Sequence, residues 1–369
     1  MNPRRSLRWV VAGQFIGALA DNALLLVALA ILLERHAPAW NAPALRMVFY
    51  LSYVLLSAFA GAIADAWPKK RMLVAINLLK VGGCAVLLTG ATPLLAYALI
   101  GIGAATHAPA RYGILSEFTP EGELLAANAW MEIATVLALL MGTVWGSLLL
   151  QGGWGLALPA YGIASNAALT LGAAYVLAAL CALPVRAAAA SSPRALARPA
   201  ALVREFAHSA RTLWRDPVAR VSLTATCVFW AAAAVLQFVI LRWSVEQLGL
   251  TLAQAGLMQG AVAAGTIAGA AAAGKWIRED RALQTWPLGL ALAAAVASMA
   301  AVASVPVAAA LMLAVGAMSG LLLVPMNTVL QRRGLALMHP GQSIAVQNFS
   351  ENLASLLALA AYGATRLQR

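Results

Sequence analysis

Eleven stretches of roughly twenty or more apolar residues follow one another along this chain, and their succession limits its fold more than any other feature. A hydrocarbon core ~30 Å thick is crossed by a helix of about 20 apolar residues, each rising about 1.5 Å. The candidates are Trp9–Leu33, Met47–Ala66, Met72–Gly90, Leu94–Gly113, Ala126–Leu149 and Leu156–Leu183, then Val218–Trp243, Leu252–Lys275, Trp286–Val305, Val307–Leu330 and Ser343–Thr365. Hydrophobic residues make up 62% of the chain and charged residues 10%, against about 45–50% and about 25% in soluble globular proteins. Too few charges remain to coat a surface in water, which excludes a cytosolic enzyme. Unbroken runs of Ala, Leu, Val and Gly also argue against a β-barrel, whose strands alternate apolar and polar residues. The expected fold class is an all-α polytopic membrane protein.

The first run follows Arg4, Arg5 and Arg8 but is too long for the apolar region of a signal peptide, and Asp21-Asn22 interrupts its centre. It reads as a retained first helix. With the N-terminus in the cytoplasm, nineteen Lys and Arg residues fall on the cytoplasmic side against Arg35, Arg46 and Arg242 on the other. That bias sets the orientation and accounts for the net charge of +12 without invoking nucleic acid. The interval Arg186–Pro217 is the only long break in the pattern and is rich in Arg, with Ser191-Ser192-Pro193 and Pro199. The expected organisation is a six-helix bundle over 1–185, a basic cytoplasmic linker over 186–217, and a second bundle over 218–369 with five visible helices. A basic helix around Leu202–Trp214 is expected to lie at the membrane surface.

Weak echoes relate the two halves. Gly61-Ala-Ile-Ala-Asp65 with Lys69, Lys70 and Arg71 is matched by Gly269 to Arg278; Pro109-Ala-Arg111 by Pro325-Met-Asn327; and Glu132-Ile-Ala-Thr by Glu351-Asn-Leu-Ala. Their shared order points to duplication, a common plan among transporters. A duplicated plan calls for a sixth helix after the linker, and only five are visible, so the chain reads as shortened.

A charge at the bilayer centre costs about 2.5–3.5 kcal/mol on insertion scales and is therefore informative. Asp21 and Asn22 lie mid-helix, and Gln14 shares their face seven residues earlier. They suggest a polar lining, the alternative being an interhelical hydrogen-bond clamp. Lys80, with Asn77 a turn before it, either snorkels to the surface or faces inward as a cation for a carboxylate or phosphate. Glu132 and Glu351 lie one or two turns inside their helix ends, as gating ion pairs or substrate contacts. Gln237 is mid-span, and Arg242 near the outer end is an interfacial anchor or a phosphate contact. Asp65 with Lys69, Lys70 and Arg71 has the logic of a conformational latch, and Arg111 joins this gating set.

Signals of covalent or metal chemistry are weak. Gly269-x4-Gly274-Lys275 matches most of a Walker A motif, but Trp276 stands where Ser or Thr is required. The four histidines, His36, His107, His208 and His339, lack metal-ligand spacing, and Cys84, Cys181 and Cys227 fit no zinc or disulfide pattern. No cofactor, metal or catalytic residue is expected.

Gln14-Phe-Ile-Gly-Ala-Leu-Ala-Asp21-Asn22-Ala-Leu-Leu resembles the first helix of bacterial lysophospholipid transporters of the major facilitator superfamily. Pro109-Ala-Arg-Tyr-Gly-Ile-Leu115, Val324-Pro-Met-Asn327, Leu330-Gln-Arg-Arg-Gly334 and Ala345-Val-Gln-Asn348-Phe-Ser-Glu351-Asn352 do so as well, and together these blocks run from the first helix to the eleventh. The turn from Gly61 to Arg71 resembles the general superfamily signature only. The resemblance implies a twelve-helix, two-bundle fold. It also implies import of lysophosphatidylethanolamine and lysophosphatidylglycerol across the inner membrane to the cytoplasmic leaflet. There a separate acyltransferase/acyl-carrier-protein synthetase re-acylates them. Substrate contacts are then expected among Asp21, Asn22, Gln14, Lys80, Gln237, Asn348 and Glu351, and gating at Asp65, Lys69, Lys70, Arg71, Arg111 and Glu132. Gln237 stands where the family tends to carry an arginine, so a phosphate-binding role is not transferred to it.

Two other readings stand beside this one. A carrier of a drug or metabolite could use Asp21, Glu132 and Glu351 for proton coupling, and a pH-gradient requirement without lysolipid competition would mark it. A membrane acyltransferase or scaffold is disfavoured by the lack of a catalytic constellation.

Overall fold

The computed structural model describes residues 3–38, 40–120, 122–158, 162–185 and 199–367. Within them are α1 (Pro3–Glu34), α2 (Asn41–Ala66), α3 (Lys69–Leu88), α4 (Pro93–Phe118), α5 (Leu124–Leu150) and α6 (Ile163–Ala182). There follow α7 (Pro199–Arg215), α8 (Pro217–Glu246), α9 (Leu252–Trp276), α10 (Leu288–Ser298), α11 (Val305–Leu337) and α12 (Pro340–Leu367). Among the described residues, ten segments are long and apolar enough to cross a membrane. They match ten of the eleven runs read from the sequence. The eleventh, α12, is not among them; its first half carries Gln342, Gln347, Asn348, Glu351 and Asn352.

Local chemistry sets most boundaries. α2 stops at Ala66 because Trp67 precedes Pro68 and takes an extended conformation (φ −110°, ψ 149°), as residues before proline do. α4 and α8 begin with a capping side chain followed by proline: Thr92 accepts from the Leu94 amide, and Asp216 from that of Ala219 at 2.9 Å. Thr251 and Gln254 form a reciprocal capping box at the start of α9. Two expected boundaries are corrected. α6 begins at Ile163 rather than Leu156, since Gly152, Gly153 and Gly155 turn the chain and Leu156–Leu158 hydrogen-bond to Asn166 and Thr170 instead of continuing a helix. The run from Trp286 to Val305 ends early, because α10 passes into a 3₁₀ turn at Met299–Ala301 and Val302 is extended. Before it, a 3₁₀ turn over Glu279–Thr285 leads through Pro287, which has no amide hydrogen to donate, into the short α10.

The residues form two compact units. The first comprises Met1–Thr119, Leu137–Ser209 and His339–Asn348, and the second Pro120–Val136, Ala210–Met338 and Phe349–Arg369. In the first, α1 packs on α4 and α6, α2 on α4, and α3 on α4 and α6. Its core includes Leu24, Val27, Ile100, Leu171 and Tyr175. In the second, α11 packs on α8, α9 and α10 around Ile240, Met258, Met299 and Met312.

Gly265 and Gly269 of α9 and Gly316 and Gly320 of α11 bring the two backbones close together. A Cβ added to Gly316 would run into the Val262 carbonyl oxygen, and one added to Gly269 into that of Ala317. Lipid tails are as apolar as leucine, so helices in a bilayer associate through close backbone packing of this kind. The Walker-like glycine at 269 is therefore used for helix contact, while Gly274 meets Ala129 on α5 and Lys275 lies over the Trp276 ring.

The expected linker over 186–217 contains α7, three residues longer at its start and one longer at its end than the basic helix read from the sequence. Residues 186–198 of that linker lie outside the described residues, as does the end of the chain after 367.

Candidate functional site

Asp21 sits in the middle of α1, and the structure resolves the open question about Lys80: it turns inward. Its Nζ donates to both carboxylate oxygens of Asp21, at 2.8 and 2.7 Å. The Tyr175 hydroxyl of α6 donates to Oδ1 at 2.7 Å, and Lys80 Nζ lies 5.4 Å from the centre of the Tyr175 ring. Lys80 and Tyr175 are buried, at 3% and 0% exposure, while the Asp21 side chain keeps 19%. The carboxylate is therefore bonded on two sides yet still reachable on a third. Three helices converge on it inside the first unit.

Backbone geometry makes room for the lysine. A Cβ on Gly103 of α4 would come within 2.9 Å of Lys80 Cγ, so the aliphatic stem passes across a position that must lack a side chain. The same device recurs further along these antiparallel helices, where Lys69, 1% exposed, lies across Gly113.

Around this group runs a polar strip. Gln14, 5% exposed, lines a narrow pocket with Asn77 of α3 and His107 of α4, among apolar neighbours including Trp9 and Leu73. Gln14 and Asp21 on α1 thus face Asn77 and Lys80 on α3. Asn22, beside Asp21, is half-buried and donates from its amide back to the Ala18 carbonyl of its own helix at 2.8 Å, as Asn77 does to the Leu73 carbonyl. Arg111 lies one turn beyond His107 on α4. Its guanidinium stacks 4.6 Å from the Tyr112 ring centre and donates to that hydroxyl, and its Nε is buried without a hydrogen-bond partner among the described residues. A buried unsatisfied donor is costly and calls for an explanation. Arg111 thus has bonding capacity to spare.

Asp65, 1% exposed at the end of α2, accepts hydrogen bonds from the backbone amides of Gly341 (3.0 Å) and Gln342 (3.1 Å). Asp65 thereby meets the orphan amides and the dipole at the start of α12, and the charge of Lys69 acts on the same carboxylate. Lys70 is half-buried and Arg71 exposed in the first turn of α3.

The second unit holds the remaining expected residues. Gln237 donates to the Ala234 carbonyl of its own turn, and its backbone carbonyl accepts from Gln259. Its side chain is thus partly spent locally. Arg242 pairs with Glu246 one turn on, both about half exposed, near the C-terminal end of α8. Glu132 is half-buried on α5 and Glu351 is 8% exposed on α12. Asn348 belongs to the α12 segment assigned to the first unit.

The sequence was compared with known proteins. The family model described as Major Facilitator Superfamily matches residues 10–359. The Lysophospholipid transporter LplT of Pectobacterium carotovorum subsp. carotovorum (strain PC1) is 37% identical over 363 residues, covering 97% of this chain and 86% of the relative. The protein of the same name from Cronobacter sakazakii (strain ATCC BAA-894) is 36% identical over 359 residues, covering 97% and 88%. The chain belongs to the lysophospholipid transporter family of the major facilitator superfamily. Among solved structures, the human organic anion transporter MFSD10 superposes with a TM-score of 0.73 at 16% identity, over 97% of this chain and 92% of that one. A bacterial homologue of the iron transporter ferroportin does so at 0.71 and 14%, over 97% and 92%. At that identity the likeness concerns the fold alone.

In this member of the lysophospholipid transporter family, several polar groups escape a reading of the sequence. Tyr175 is one: a tyrosine in an apolar helix looks like packing. In the second unit Glu279 accepts from the amides of Leu124 and Leu125 at the start of α5 and pairs with Arg332. This is the counterpart of Asp65 at the start of α12, so the duplicated pattern read at Gly61 and Gly269 extends to a carboxylate capping a helix start in each unit. Asn128 and Gln331 exchange hydrogen bonds at 3.1 and 2.9 Å, with Thr328 accepting from Asn128 at 3.1 Å. Asp216 pairs with Arg333; the Asp-Pro pair before α8 is a cap signal from which it could have been found.

Proposed function

We propose that this protein carries lysophospholipids, chiefly lysophosphatidylethanolamine and lysophosphatidylglycerol, across the bacterial inner membrane to the cytoplasmic leaflet. It does so without making or breaking covalent bonds. The observation that carries the reading is the Asp21–Lys80 pair, with Tyr175 on the carboxylate, set among apolar helices.

A lysophospholipid already has its acyl chain in lipid, so only its polar head needs help. Moving that head unaided is expensive because nothing in hydrocarbon replaces its water. Breaking a buried ion pair by removing one partner leaves an uncompensated charge, a cost of about 3–5 kcal/mol. A zwitterionic head avoids this by exchange: its ammonium takes the place of Lys80 on Asp21, while its phosphate takes the place of Asp21 on Lys80. Both protein charges remain paired throughout. A head with phosphate alone occupies Lys80 and draws on Arg111, whose guanidinium retains unused donors. Gln14 and Asn77 extend the polar path, and Asn348, Glu351 and Gln237 are the contacts proposed from α12 and α8.

The N-terminus lies in the cytoplasm in this reading, as the Lys and Arg bias favours. Residues 1–185 and 218–369 form the two bundles, joined by the basic linker 186–217. Asp65 with Lys69, Lys70 and Arg71, and Arg111 with Glu132, govern opening. A separate acyltransferase/acyl-carrier-protein synthetase consumes the product, which keeps movement downhill.

Proteoliposomes carrying headgroup-labelled lysophosphatidylethanolamine test this. Label should reach the inner leaflet faster than in protein-free vesicles, and unlabelled lysolipid should compete. Movement no faster than in empty vesicles would overturn the proposal.

A further inference from the structure

α7 has two unlike faces. Leu202, Ser209 and Leu213 are 5%, 4% and 0% exposed and recur at helical spacing on the inner face. Arg204, His208, Arg211 and Arg215 recur at the same spacing and are all exposed. Val203 and Trp214 flank this stripe, 50% and 37% exposed. Arg215 lies two residues before Pro217, which opens the spanning helix α8, so the stripe is tethered where a membrane helix meets its interface.

The only acidic residue on α7, Glu205, is engaged elsewhere: its carboxylate accepts from Gln342 Nε2 at 2.7 Å. Ser209 donates to Gln342 Oε1 at 2.7 Å, and the Gln342 amide donates to Asp65. One side chain thus joins α7 to the carboxylate that fastens the start of α12.

We propose that the Arg204–Arg215 stripe binds anionic phospholipid headgroups of the adjoining leaflet, and that this docking steadies the start of α12 through Gln342. Charge complementarity and the tether to α8 name the occupant. A juxtamembrane basic segment is drawn to an anionic leaflet by about fivefold per arginine, and the exposed Val203 and Trp214 suit the acyl boundary. Lipid charge then reports to the fastening at Asp65, whatever solute the protein carries.

Hydrogen–deuterium exchange on the full chain in nanodiscs tests this without requiring transport. Two lipid compositions are compared, phosphatidylcholine alone and phosphatidylcholine with roughly a third phosphatidylglycerol. With anionic lipid, exchange should slow about tenfold along α7 and severalfold at Gly341–Ser343, and roughly 0.5 M salt should cancel the effect. Arg204→Gln, Arg211→Gln and Arg215→Gln together should abolish both changes. Gln342→Ala should keep the slowing along α7 and lose it at Gly341–Ser343. Equal exchange in the two lipids, or slowing that survives the triple substitution, would overturn the proposal. So would protection conferred in phosphatidylcholine by an added acidic protein but not by anionic lipid, which would assign the stripe to a soluble partner.

Discussion

Lys80 determines what Asp21 can do. With the ammonium 3% exposed, loss of its counter-ion leaves a charge that water reaches poorly. Asp21→Asn should therefore lower the melting temperature in detergent and cut lysophosphatidylethanolamine movement at least tenfold. The stability loss should fall near or below the low end of the roughly 3–5 kcal/mol seen when buried pairs are broken, because Asp21 is 19% exposed. Adding Lys80→Gln should restore most of the melting temperature while transport stays lost. Recovery of both together would show the pair to be purely structural. Part of this arrangement was legible in the sequence. An aspartate mid-span is costly enough to stand out, and so is a lysine. Their pairing was not legible, since it depends on the register between α1 and α3 across 59 positions, which no local pattern records. The bond from the Asn22 amide to the carbonyl one turn back was not legible either, because a side chain that bonds its own helix leaves no mark in the pattern.

At the scale of the element, α9 and α11 give a matched pair of glycines. Gly316→Ala drives a methyl group into the Val262 carbonyl and should cost about 1–3 kcal/mol, the range for overpacking. Gly260→Ala in α9 meets nothing within 4 Å and should be neutral, or stabilising by about 0.5–1 kcal/mol. Thermal unfolding in one detergent compares the two directly. The start of α8 gives a pH-dependent case. Hydrogen bonds from Arg333 hold the Asp216 carboxyl below its usual range. A carboxylate lowered in the folded state stabilises fully above its unfolded value, and that contribution fades as pH falls through the folded one. Asp216→Asn preserves capping ability and removes the charge. It should melt below the wild type at neutral pH, and the gap should close on acidification below about pH 4. A gap independent of pH would mean the charge contributes nothing. Helices as such were legible because hydropathy is a one-dimensional signal in lipid. The apolar Leu156–Leu158 was not seen as loop, because in a chain this apolar the turn chemistry of Gly152–Gly155 carries the boundary.

Over the whole molecule, orientation is the property most open to direct measurement. Cys84, Cys181 and Cys227 are buried, so the native thiol background should be low. A membrane-impermeant thiol reagent should label Gln151→Cys, in the exposed turn after α5, from outside intact spheroplasts. Trp67→Cys, in the exposed turn after α2, should label only after permeabilisation. The reverse pattern would invert the orientation and with it the direction of the proposed movement. The fold also carries a mechanical consequence at the α9–α11 seam. Where Gly265, Gly269, Gly316 and Gly320 set backbone against backbone there are no rotamers to exchange, and a slip of a single residue would force a methyl or larger group into a carbonyl. The two helices must travel as one rigid strut. Any change of shape in that unit has to be taken up where the side chains of α8 meet that pair, around Ile240 and Trp243.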